Sequence, residues 1–174
     1  MTRFHTFVAA TAAALTLTTA ARAGEQYIDP NGFAVSGYDV VAYFDLPQSP
    51  VGTSQSPGVP GDKDFTATYN GARFAFSSAE NKARFEADPA AFVPQYDGHC
   101  AFGVAKGGKV PGNPNLWRII DDKLYLNITK TVVGFWEEDI SGNLTLSEAN
   151  WVDIEPQAAS RSVIPQFRSA APTD

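Results

Sequence analysis

The sequence feature that most constrains this chain is the short run Asn70-Gly71 between two apolar alternating segments. Asn-Gly is the pair that tolerates the two positive φ angles of a type I′ turn, and that turn matches the right-handed twist of a two-residue hairpin. The segments 65–69 and 72–76 are therefore expected to pair antiparallel. Alternation places Phe65, Ala67 and Tyr69 on one face, and Phe74 and Phe76 on one face of the returning strand. Ser77 follows at once, with Glu80 three residues on. That spacing predicts a capping box opening a helix that carries Ala79, Ala83 and Phe85 and stops at Asp88-Pro89.

The pattern repeats in outline further along. Residues 117–120 and 123–127 predict a second hairpin turning at Asp121-Asp122. Between the hairpins, Ala90-Ala91-Phe92 predicts a helical turn. A third helix is expected from about Asp97-Gly98 through Cys100 to Ala105, with Gly107-Gly108 as its stop. Residues 129–139 and 144–150 have helical spacing, with Val133, Phe135, Trp136, Leu144, Leu146, Ala149 and Trp151 as the expected buried residues. The segment 46–62 is rich in Pro, Gly and Ser/Thr and reads as a surface loop. The expected fold is a small single α+β domain, two antiparallel β-hairpins covered by short helices.

The ends read differently. Arg3 precedes the apolar stretch 7–20, and Ala21-Arg22-Ala23 has the small-x-small form of a leader-peptidase site. Residues 1–23 are read as a secretory signal, cleaved before Gly24, which directs the chain to the periplasm or the medium. The run is too short and too rich in Thr and Ala to be read as a spanning anchor, so no membrane association is expected once it is removed. Residues 24–36 form a lead-in and 152–174 a mobile Pro/Ser/Ala-rich tail.

With 44% hydrophobic residues among 174, the chain has enough apolar content for one core. Its formal net charge of −6, without a basic run, argues against a nucleic-acid partner. Loss of the leader removes Met1 and His5 and leaves one histidine and one cysteine, the neighbours His99 and Cys100. A lone cysteine makes no intrachain disulfide, so the core alone must hold the fold.

The runs Gly37–Phe44 (GYDVVAYF), Tyr69–Asn81 (YNGARFAFSSAEN), Phe85–Pro89 (FEADP), Pro94–Ala101 (PQYDGHCA) and Lys123–Asn127 (KLYLN) occur in order. Together they resemble the secreted YHS domain-containing proteins of bacteria, over about residues 37–151. The resemblance implies an exported single-domain protein, and the wider YHS family is associated with copper and other heavy metals. Metal-associated members read Phe-Cys-Ser-x-x-Cys at the strand-to-helix junction. Here those two cysteine positions hold Ser77 and Asn81.

Three readings follow. The first is a non-enzymatic metal-handling module, with copper as the ion. Thiolate suits copper(I) and imidazole suits copper in either charge state, so Cys100 is the first ligand and His99 the second. Oxygen donors such as Asp97, or a homodimer sharing the ion, would complete a set that one monomer cannot fill. The second is a structural or interaction module in which Cys100 is simply packed. The third is a thiol redox protein using Cys100, whose place at a helix N-terminus would lower its pKa. Exposure of the sulfur discriminates among them. Hydrolase chemistry has little support: there is no Gly-x-Ser-x-Gly elbow, and adjacent residues point apart, so His99 is a poor base for Cys100. The phosphate-loop imitation at 103–110 lacks the terminal Ser/Thr, and Pro111 blocks the helix such a loop requires.

Overall fold

The computed structural model describes residues 24–172, so the predicted signal segment 1–23 lies outside the described residues. Strand β1 (Asp62–Tyr69) pairs antiparallel with β2 (Ala72–Phe76), Tyr69 opposite Ala72 and Ala67 opposite Phe74. Asn70 and Gly71 take φ values of 47° and 75°, the two left-handed residues the turn requires. Strand β3 (Asn113–Ile120) pairs with β4 (Lys123–Asn127) through Asp121 and Asp122, again both at positive φ. Each outer strand carries an irregularity, between Asp62 and Thr66 in β1 and between Asn113 and Trp117 in β3. The two hairpins are separate two-stranded sheets, and neither would be stable alone.

A shared core supplies what the isolated hairpins lack. Phe74 and Phe76 of β2 and Trp117, Leu124 and Leu126 of the second hairpin meet Val40, Val41 and Tyr43 in one buried cluster. Helix α1 (Ala79–Ala87) contributes Phe85, whose ring centre lies 5.0 Å from that of Phe74 and 4.9 Å from that of Phe76. The short α2 (Pro89–Phe92) follows. A second cluster gathers Tyr96, Ala101, Val104, Tyr125, Trp136 and Ile154. It lies under α3 (Ala101–Ala105), α4 (Lys130–Glu137) and α5 (Ile140–Ile154). The architecture is the expected small α+β domain.

Four local expectations are corrected. The cap of α1 is Ser78, whose hydroxyl accepts from the Asn81 amide at 3.1 Å; Ser77 lies one residue earlier, past the end of β2, and bonds elsewhere. The third helix begins at Ala101, because Tyr96, Asp97 and Gly98 all take positive φ and fold the chain into a tight turn first. Helix α5 buries a polar face. Its Ser147 hydroxyl donates to the Ala101 carbonyl at 3.0 Å, and the Asn150 amide donates to the carbonyls of Val104 and Ala105. The carbonyls of so short a helix need partners, and Ser147 is buried in supplying one. Asn143 is buried against the Trp136 carbonyl of α4, while Phe135 of α4 and Leu146 of α5 are 51% and 48% exposed.

The reading of 152–174 as a mobile tail is the fourth correction. Helix α5 runs through the expected boundary to Ile154, and the following segment returns along the lead-in. Ile164 is buried and Phe167 packs on the first core cluster. The Tyr27 hydroxyl donates to the Ser162 carbonyl, and the Ala170 amide donates to the Ser36 carbonyl at 3.1 Å. These two hydrogen bonds each use a backbone amide or carbonyl of the segment, which a search for apolar periodicity does not register.

Candidate functional site

His99 sits at the exit of the Tyr96-Asp97-Gly98 turn. Its Nδ1 lies 2.8 Å from the Tyr96 carbonyl, and its Nε2 accepts from the Ser160 amide at 3.1 Å. A backbone N–H only donates, so Nε2 is unprotonated and Nδ1 carries the proton toward Tyr96. The ring is fully buried, beside Tyr27 and Trp151. Burial is the main reason its pKa is pushed down to about 4; the Tyr96 carbonyl opposes and Lys109 reinforces the shift.

Cys100 faces away from its neighbour, as extended backbone at both residues dictates. Its sulfur is the N-cap of α3, accepting from the Gly103 amide at 3.4 Å. Its S–H donates to Asn127 Oδ1 at 3.3 Å, an oxygen that also accepts from the Phe102 amide. The residue is fully buried. The expected lowering of the thiol pKa is therefore overturned. Burial pushes it up, and the amides of Gly103, Ile128 and Phe102 only partly offset that. A five-residue helix supplies little dipole.

Asp97 points neither to His99 nor to Cys100 for a partner. Its Oδ1 accepts from the buried Gln26 side chain at 2.6 Å, while Oδ2 is buried without a hydrogen-bond partner. Burial first, and Glu155 second, push its carboxyl up to about 6, against the opposing pull of Lys109.

The three predicted metal-ligating residues thus have neighbouring positions and separate engagements. Both imidazole nitrogens are occupied, and the thiol is a satisfied cap. Among the described residues no group of three or more His, Cys, Asp or Glu side chains could hold a metal. The donor set does not fit the copper site that the family resemblance implies.

The strand-to-helix junction at Ser77 and Asn81 is built around a buried carboxylate. Ser77 and Asn81 both turn onto Asp39, which is fully buried. Asp39 Oδ2 accepts from the Ser77 amide, the Ser77 hydroxyl and the Asn81 side chain, each at 2.7 Å. Its Oδ1 accepts from the amides of Val41 and Ala42. Hard oxygen and amide groups saturate one another at this junction. Sequence reasoning did not single out Asp39 for this role. The available signal was a lone carboxylate within the apolar run Tyr38–Phe44.

A concave feature of the described surface lies elsewhere. A cleft of about 720 Å³ opens between the 52–57 loop, β3 and the start of α4, with Thr53, Gln55, Asn115, Thr131 and Gln166 among its walls. Arg118, also missed from sequence, anchors it. Its guanidinium pairs with Glu137 at 2.6 Å and donates to the carbonyls of Ser49, Pro50 and Thr53. Both side chains of the pair are only 5% exposed. No protein family, curated protein or solved structure compared with this chain matches it.

Proposed function

We propose that this chain is an exported, non-catalytic YHS-like module in which the His99–Cys100 turn is a structural lock. One observation carries the reading: the thiol and both imidazole nitrogens are fully buried and bonded to the protein's own groups. Copper handling would need the ring to give up Ser160 and the sulfur to leave its cap. Redox chemistry would need a thiolate, which burial disfavours here. Export is supported by the leader-like segment 1–23. Contact with a partner is assigned to the cleft beside Arg118, a concave surface lined by both polar and apolar side chains.

The test is a copper(I) titration of the exported protein against a chelating competitor, with Cys100→Ser and His99→Ala alongside. The expected result is no competition by the native protein, and a thiol that reacts with a disulfide reagent only after unfolding. Stoichiometric copper binding that disappears in Cys100→Ser would restore the metal-thiolate reading. Rapid reaction of the native thiol would favour the redox reading.

A further inference from the structure

The residue that follows the predicted leader-peptidase site is held in a cramped acidic niche. The Gly24 nitrogen lies 3.3 Å from Glu155 Oε1. A Cβ at position 24 would overlap Asp97 Oδ2 and come within 2.8 Å of Glu155 Cγ and 2.9 Å of the Glu155 carbonyl. Only glycine fits, for reasons of space. As a peptide amide, the Gly24 nitrogen has one hydrogen, spent on Glu155, and Asp97 Oδ2 beside it stays buried without a partner. The nearby cation cannot supply the need. Lys109 Nζ donates to the carbonyls of Glu155 and Gln157 at 2.9 and 2.6 Å and lies over the Trp151 ring. Glu25 adds a third carboxylate to the region, bonded to the Ala159 amide.

We propose that hydrolysis of the Ala23–Gly24 bond creates the missing partner, a Gly24 α-ammonium seated between the carboxylates of Asp97 and Glu155. The inference rests on the export reading above. In the step, a leader peptidase directs water at the Ala23 carbonyl and the C–N bond breaks. The water oxygen stays on Ala23 as carboxylate. Both water hydrogens end on the Gly24 nitrogen, which becomes an ammonium. The new group has three donors and a positive charge where the amide had one donor and none. It can hold Glu155 and answer Asp97 Oδ2 together. Cleavage thus adds a charged contact to the bonds that Gly24 and Gln26 already make to Glu155 and Asp97, and the uncleaved chain lacks that contact.

The test uses the full chain, leader included, expressed for export and purified, with its start read by intact mass. It is compared with Asp97→Asn, with a chain carrying one extra Ala after Ala23, and with the combination. The extra residue displaces the ammonium by about 3.8 Å. The expected mass begins at Gly24. In urea unfolding, Asp97→Asn should weaken folding of the parent chain, by about tenfold in the folded-to-unfolded ratio. In the extended chain the same substitution should strengthen folding, because there it removes a carboxylate without a partner. A purely structural role for Asp97 would not change sign. A start at Gly24 with the same Asp97→Asn effect in both chains overturns this site and leaves the export reading standing. A retained leader, or a start elsewhere, overturns the processing reading and this site with it.

Discussion

Acid should open this fold at His99. The buried ring holds its proton on Nδ1 and uses Nε2 to accept from the Ser160 amide. A second proton would set an N–H against that N–H. The folded-state pKa is pushed down to about 4 from an ordinary 6.5, so between those values the unfolded chain binds the proton and the folded chain does not. Stability then rises with pH in this window and falls as acid is added. The shift corresponds to a loss of about 2 kcal/mol on going from pH 8 to pH 5, approaching about 3 kcal/mol near pH 4. Asp97 acts in the opposite sense. Its pKa is raised to about 6, so the folded state takes its proton first and acid favours folding there. The comparison must therefore be a difference: urea unfolding from pH 8 to 4.5 for the parent protein and for His99→Gln, which keeps a donor and an acceptor but does not titrate. The parent should lose about 2 kcal/mol more than the variant by pH 5. Hydrogen exchange should show the Ser160 amide losing protection in the same range. Parallel pH profiles in the two proteins would refute the reasoning.

Two other substitutions probe the buried polar groups. Asp39→Ala should destabilise by about 3 kcal/mol or more, because it strands the donors of Val41, Ala42, Ser77 and Asn81; Ser78→Ala, losing only the cap of α1, should cost about 1 kcal/mol, and equal costs in denaturant unfolding would contradict this hierarchy. Arg118→Ala leaves Glu137 buried without its partner and frees the carbonyls of Ser49, Pro50 and Thr53. It should cost about 3–5 kcal/mol and raise protease sensitivity within residues 49–57, and an unchanged cleavage pattern would count against the anchoring role.

The elements legible in the sequence are those set by neighbouring residues. Asn70-Gly71 and Asp121-Asp122 announce their hairpins because the turn is decided by the φ preferences of two adjacent positions. The start of α1 was legible only to within one residue, since Ser77 and Ser78 have equal capping chemistry. Their difference is made by Asp39, thirty-eight positions before Ser77, which draws Ser77 away. The buried face of α5 was read only in part: Leu144 and Trp151 do pack on the second cluster, but Asn143, Ser147 and Asn150 meet carbonyls rather than apolar side chains. The pairing of His99 with Cys100 in sequence suggested a shared site. Their partners, Ser160 and Asn127, are distant in sequence and point the two side chains to different places.

The bond from Ser160 to His99 spans 61 residues, and this imposes an order in time. A chain that emerges amino end first, from a ribosome or through a membrane channel, presents both hairpins and their aromatic core before residue 160 appears. Up to that moment the imidazole has one nitrogen without its partner and the Tyr27 side of the domain lacks its cover. The stretch around residue 160 therefore closes the structure after the hairpins have emerged, and a chain halted before it would leave His99 and Tyr27 uncovered.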